Sequence, residues 1–396
     1  MESPTDAPEV ERPPIRSLKL VARANALFER LRTAGVDKSG NREFLYSHYA
    51  SLILLGFFNP ALQSLRGLQQ ASQLKTVQKK LGVGRVSLGS LSESCRVFDP
   101  ALLVPLIGEL LAELGPGHAG PGPHRRVPET IPQELARRLV AVDGTALQAL
   151  PRMVRGGSDW KLHLQFRTLS GLPHRAAVAD GADERDVLAA NLEPGCVSIA
   201  DRGYERYALA NRIVAAESDY VIRGKDRPYA ALESRPLSAE ARAARVLSDT
   251  LVRLSPNGTS TRAEALTHPV RRIALAERAR GRVRPDRPQS GEIILLTNLV
   301  DVPAEVIAGI CEMRWSIELF FRFLKQVLGC HKLFSTRAEA ANIQIYCALI
   351  ACLLLARVTG GRIRMDVYRM ICFYLQGLAD EDELDEYLKK ARLKES

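Results

Sequence analysis

The chain has no CxxC pair, and its seven cysteines follow no regular spacing. That excludes a zinc site of the paired-cysteine type and reads as reduced thiols of an intracellular protein, expected in the cytoplasm near the nucleoid. No targeting signal is legible, because the opening residues, MESPTDAPEVERPP, are acidic and proline-rich. The apolar runs SLILLGFF and LIACLLLA read as too short to span a bilayer, so no membrane partner is expected. Acids are outnumbered, 45 against 55 lysines and arginines, for a formal net charge of +10. Such an excess favours polyanionic partners, nucleic acid before anionic lipid. An apolar content of 46% argues against wholesale disorder, and 396 residues suffice for two or three domains with real cores.

Residues 1–15 read as a disordered tail, and residues 16–114 as a helical domain. Within the latter, FLYSHYASLILLGFFNPAL is broken at Asn59-Pro60, and DPALLVPLIGELLAEL reads as a capped amphipathic helix starting near Asp99. Residues 115–132, with GPGHAGPGPHRRVP, lack apolar period and read as a linker. From 133 to 345 the texture is mixed. RLVAVDGTAL is a short buried strand, and KLHLQFRTLSG with LPHRAAVADG is a hairpin. CVSIADRGY is a strand that leads into the helix ERYALANRIVAA, and DYVIRGK and GEIILLTNL are further strands. Helices are expected over 303–328 and 338–357, with C-terminal helices filling 346–396. Residues 226–290 stand apart, with thirteen Arg, no Lys and seven acids, a net +6 of the chain's +10. The pattern predicts an α/β fold, a mixed sheet flanked by helices, behind an N-terminal all-α domain.

Three carboxylates stand out. Asp143 in VAVDG and Asp201 in SIADRG each close an apolar β run just before glycine. Either could simply cap a turn; a desolvated carboxylate there otherwise needs a partner. In RWSIELFFRFLK, Arg314, Glu318, Arg322 and Lys325 share one helical face amid aromatic and aliphatic residues. A solvated salt-bridge stripe would give the same spacing. The apolar coverage around it leaves little of the helix for open water, which places the stripe beside a cleft. A lone acid among cations suits a cleft that takes both metal and phosphate. Three carboxylates from two strand ends and a helix suit Mg²⁺, a hard cation that prefers oxygen ligands. A phosphatase reading of V-D-G-T would need an aspartate nucleophile at the position held by Ala141.

On these residues the chain resembles the DDE transposases of bacterial insertion sequences, in the insertion sequence 4 family. Arg314, Glu318 and Lys325 match the last three letters of the signature Y-x-x-R-x-x-x-E-x₆-K, with Cys311 at the tyrosine position. DGT at Asp143 and ADRGY at Asp201 match the two aspartate motifs, and SLRGLQQASQLKTVQKKLG is similar to the N-terminal helices of such proteins. The resemblance implies a ribonuclease-H-like core interrupted by a β-rich insertion at 226–290. It implies that Asp143, Asp201 and Glu318 bind two Mg²⁺ (or Mn²⁺) ions and cleave DNA at the element's ends before strand transfer. Arg314, Arg322 and Lys325, with Arg271 and Arg272 of the insertion, would contact DNA. The partners implied are double-stranded DNA, as terminal inverted repeats and as target, and a second copy of the chain in a homodimer on DNA. A nuclease or resolvase with the same triad, or a catalytically dead DNA-binding derivative, would read alike.

Overall fold

The computed structural model describes residues 26–31, 43–59, 62–114, 128–146, 160–254, 265–277, 291–328, 334–335, 337–359 and 364–393. It divides into two units, one of Met1–Phe98 with Met365–Ser396 and the other of Asp99–Arg364. The expected tail at 1–15 and most of the linker lie outside the described residues.

The first unit opens with helices α1 (26–31), α2 (Tyr46–Phe58), α3 (Leu65–Ser72), α4 (Lys75–Leu81) and α5 (Leu88–Val97). Apolar on every side, α2 buries eleven of its thirteen residues. It stops at Phe58, with Asn59 extended ahead of Pro60 as the proline requires. Ser64 caps α3 by accepting from Gly67 N–H, and Ser87 caps α5 by accepting from Ser90 N–H. Gly82 ends α4 at φ +64°, where a side chain would be strained.

The second unit starts with a turn capped by Asp99 and the helix α6 (Val104–Leu114). Expected with the N-terminal domain, α6 instead packs on a later helix of the second unit, with Leu106, Ile107, Leu110 and Leu114 buried. Then come α7 (Gln133–Arg138), β1 (Leu139–Ala146), β2 (Trp160–Arg167), β3 (Leu172–Asp180), α8 (Glu184–Ala189), β4 (Val197–Ala200), α9 (Tyr207–Ala215) and β5 (Asp219–Gly224). The next elements are β6 (Tyr229–Ser234), α10 (Ala239–Ala243), β7 (Val246–Leu254), β8 (Val270–Ala276), β9 (Glu292–Thr297), α11 (Ala304–Met313), α12 (Trp315–Arg322) and α13 (Ala338–Val358). The nine strands form one sheet in the order β3-β2-β1-β4-β5-β9-β8-β7-β6. β1, β4 and β5 run parallel; the remaining pairings are antiparallel. With helices on its faces, this is the expected mixed α/β architecture.

Alternation along the strands assigns the two faces. Leu139, Val197, Ile199, Val221 and Leu295 join a core with α7 and α11, whereas Val140, Val142, Ala200, Ile222 and Leu296 join one with α8 and α9. The segment 226–290 is not a separate body among the described residues: β8 pairs with β9, so β6 to β8 extend the main sheet.

α13, at 21 residues and mean hydropathy 1.8, is long and apolar enough to cross a membrane, contrary to the reading from LIACLLLA alone. Its most apolar stretch is 78% buried inside the protein, where it packs on α6 and β3. Two last helices, α14 (Met365–Leu375) and α15 (Glu381–Leu393), return to the first unit, where Tyr368 donates to Phe57 O at 2.7 Å.

Several described arginines of the extension are tied inward, which corrects the expectation that Arg271 and Arg272 meet DNA. Arg271 is 3% exposed and grips Asp249 with Nε at 2.7 Å and Nη2 at 2.5 Å. Its Nη1 donates to Val302 O and to Leu299 O, on the segment that leads into α11. Arg272, 6% exposed, donates to Asp226 at 2.9 Å and lies over the Tyr229 ring at 4.8 Å. Arg235 donates to Val300 O and Arg245 to Glu312 of α11. A buried guanidinium held by carboxylate and carbonyls is satisfied only there, because leaving would strand the carboxylate. Asp249→Ala should therefore lower the unfolding free energy by about 3–5 kcal/mol, read by urea denaturation. A loss below about 1 kcal/mol would class the pair with solvated surface pairs instead.

Candidate active site

The parallel pairing of β1 with β4 aligns Ala141 with Ile199. Two residues on from that pair come Asp143, within β1, and Asp201, the first residue past β4. Asp143 Oδ1 accepts from Gly144 N–H at 2.8 Å. Asp201 ends its strand and caps a 3₁₀ turn over Arg202–Tyr204, accepting from Gly203 N–H at 2.8 Å. The turn-capping reading thus holds for Asp201, and it leaves the second carboxylate oxygen unspent by that bond.

The third acid arrives on α12, which packs on β1 and is pinned to the sheet where Phe320 meets Phe166 at 5.1 Å between ring centroids. The helix expected over 303–328 is not continuous: it breaks at Arg314, where α11 gives way to α12. From that break Arg314 reaches two carboxylates at once, Glu318 Oε1 at 2.5 Å through Nη2 and Asp143 Oδ2 at 3.9 Å through Nη1. A π-helical stretch, Phe323–Val327, follows α12 and carries Lys325, whose Nζ donates to Thr145 Oγ1 on β1. Burial pulls the Lys325 ammonium below its ordinary pKa, against the pull of nearby Asp143. Of the expected charged stripe, then, Arg314, Glu318 and Lys325 converge on the end of β1, and Arg322 is exposed.

One further acid sits here that the sequence did not single out. Glu184 begins α8, accepts from Lys161 at 2.9 Å and lies over Gly144, where a Cβ would fall 2.9 Å from its Cδ and Oε1. Nothing in GADERDV marks Glu184 apart from its neighbouring acids. Tyr204, a candidate to stand in for the signature tyrosine, is buried with Asp143, Asp201, Asp183 and Glu184 in electrostatic reach. Burial drives its hydroxyl far above the ordinary tyrosine range. Cys311 packs half-buried against the core, its thiol pushed up by burial. His163 is buried as well, and burial lowers its pKa.

The Asp143 carboxyl is pushed up from 3.8 to about 6, first by burial and then by Asp201 and Glu184, against the pull of the Gly144 N–H and of Arg314. A desolvated carboxylate facing other carboxylates, only partly neutralised by its own cations, is a donor set that a hard divalent ion fits. Among the described residues, however, no three acids, histidines or cysteines close around one ion.

Because folded Asp143 holds its proton more tightly than the unfolded chain does, its contribution is most favourable below pH 3.8 and is lost as pH rises to about 6. In metal-free buffer Asp143→Asn should flatten that slope and leave the protein more stable above pH 6, by up to about 3 kcal/mol. Urea denaturation across pH 4–8 measures it. A variant as pH-sensitive as the parent would show that the slope has another source.

Residues 134–354 match the family described as "Transposase DDE domain". A protein of Sinorhizobium fredii named as a transposase (y4zB) is 30% identical over 232 residues, 57% of this chain and 60% of that one. A protein of Geobacillus stearothermophilus named as the transposase of insertion sequence element IS5377 is 28% identical over 49% of this chain and 48% of its own length. The Escherichia coli protein named as InsL, transposase of IS186A, is 26% identical over 55% of this chain and 65% of its own. The chain thus spans only 48–65% of the length of these relatives. A solved piggyBac transposase synaptic complex with hairpin DNA covers 94% of this chain and 84% of its own at a TM-score of 0.42 and 10% identity, a likeness too slight to argue from. With more than half of its residues matched, the chain belongs to the transposase DDE domain family.

Proposed function

We propose that the protein is the DNA transposase of an insertion sequence of the insertion sequence 4 type, with Asp143, Asp201 and Glu318 as its metal-binding triad. The observation that carries this reading is the place of Asp143 and Asp201, each two residues beyond the Ala141–Ile199 pair of parallel β1 and β4, with Glu318 joined to Asp143 through Arg314. Two Mg²⁺ or Mn²⁺ ions held there would supply a nucleophile at neutral pH and stabilise the leaving oxygen of an in-line displacement. The chain's own part is to hold its carboxylates at the strand ends and to present cations to phosphate. Lys325, kept in place by Thr145, and exposed Arg322 are suited to the backbone near the cleavage point. The same geometry serves a first cut by water and a second by the freed 3′-hydroxyl, which makes one triad enough for cleavage and strand transfer.

End binding falls to the first unit in this reading. Arg66, Lys75, Lys79 and Arg85 are exposed on α3, α4 and the turn before α5, whereas Arg271 and Arg272 are spent inside the sheet extension. Phosphate contacts from such residues would give affinity, and base contacts the choice of terminal repeat. A pair of chains would hold two ends together.

Asp143→Ala, Asp201→Ala and Glu318→Ala should each lower divalent-metal-dependent cleavage of a terminal-repeat duplex by orders of magnitude while DNA binding persists. A variant that cuts at near the parent rate takes its residue out of the triad. Joined product alongside nicks separates a transposase from a nuclease with the same carboxylates.

Changing Lys75, Lys79 and Arg85 together to glutamate should weaken binding to that duplex. The salt dependence should flatten by roughly one unit of logarithmic slope for each phosphate that the variant no longer neutralises. Affinity across a salt series, with helicity checked by circular dichroism, reads this out; an unchanged slope would move the DNA surface elsewhere.

A further inference from the structure

We infer that Arg314 is a resident counter-ion which a divalent cation must displace from Asp143 and Glu318. The inference rests on the reading of those two acids as metal ligands, and it concerns what stands between them. Arg314 is largely buried, and its two terminal nitrogens serve different acids, Nη1 toward Asp143 and Nη2 on Glu318. The guanidinium therefore fills the gap between the end of β1 and the first turn of α12. Oxygens that share one Mg²⁺ stand at most about 4 Å apart, because each lies about 2.1 Å from the ion. The planar fork holds Glu318 Oε1 at 2.5 Å and stands 3.9 Å from Asp143 Oδ2, so it competes with an ion for both oxygens.

The same site cannot keep both cations. A divalent ion bound to Asp143 and Glu318 would sit within a few ångströms of the guanidinium, and side chains less than a third exposed screen the repulsion only in part. Arg314 has the backbone setting to leave, since it is the residue between two helices rather than one inside either. Withdrawal of its side chain breaks no helical hydrogen bond. Once released, its planar fork matches the oxygens of a phosphodiester. Metal entry would then free the arginine that holds the DNA backbone, so the empty site is tied shut and the loaded one is armed.

The test is isothermal titration of Mn²⁺ alone into the metal-stripped full chain, beside Arg314→Gln, Arg314→Lys and Asp143→Asn. Arg314→Gln should bind Mn²⁺ about tenfold more tightly than the parent. It should also show the larger metal-induced rise in melting temperature. Arg314→Lys, whose single ammonium cannot bridge both acids, should fall between, and it decides the matter alone should the glutamine variant not fold. Equal or weaker Mn²⁺ binding by the folded Arg314 variants would overturn the inference while leaving the ligand reading intact. Asp143→Asn binding Mn²⁺ as the parent does would overturn the ligand reading and the inference with it.

Discussion

The parallel pairing of β1 with β4 is the constraint on which the site depends. Strand periodicity is two, so the register Ala141 to Ile199 sends Leu139, Ala141 and Asp143 to the same face as Val197, Ile199 and Asp201. A slip of one residue would turn one of the two acids toward α8 and α9 and bury it in an apolar core. The core itself enforces the register. Val140, Val142 and Ala200 are packed on one face, Leu139, Val197 and Ile199 on the other, all close to fully buried. Hydrophobic sorting of ordinary aliphatic residues thus sets the positions of two charged ones.

The helical side of the site is held by a second device, the inward-turned arginines of the sheet extension. Arg235 and Arg271 grip the carbonyls of the β9–α11 connection, and Arg245 pairs with Glu312 near the end of α11. Arg314, at the junction with α12, follows two residues later. Arg227, Arg235, Arg245, Arg271 and Arg272 are held by acids or carbonyls of the same unit rather than offered to a polyanion, and Arg235, Arg245 and Arg271 brace the connection into α11 and the end of that helix.

What could be read from the sequence was whatever local periodicity encodes. The hairpin β2–β3, the buried strands β1, β4, β5 and β9 and the stop at Asn59 all follow from alternation, apolar runs or proline, and they stand where those signals put them. Asp143 and Asp201 were legible because an acid at the end of an apolar strand is conspicuous. The burial of Arg271 was not, since its partner Asp249 lies 22 residues away on a neighbouring strand and no local pattern distinguishes an inward arginine from an outward one. Glu184 was hidden for the same reason: its place over Gly144 is a tertiary contact. The break at Arg314 was missed because RWSIELFFR has no helix-breaking residue; the turn there is imposed by where α11 and α12 must pack.

The electrostatics of the site and its chemistry pull in one direction. A carboxyl as desolvated as Asp143, with Asp201 and Glu184 nearby, is held where its charge is unfavourable. Such an arrangement persists only because the surrounding sheet over-determines it, and it is relieved by added positive charge. Two sources of that charge belong to the chain itself: Arg314, 3.9 Å from Asp143, and Lys325, held at the adjacent Thr145. Neither sits as a metal ligand shell would, and their partial compensation is what a site that exchanges cations requires. Full neutralisation by arginine would make a stable ion pair and an inert protein. None at all would leave the desolvated charge of Asp143 unrelieved. The observed intermediate leaves part of that charge uncompensated, so that on the proposed reading the arrival of a divalent cation, rather than a change of fold, would complete the compensation.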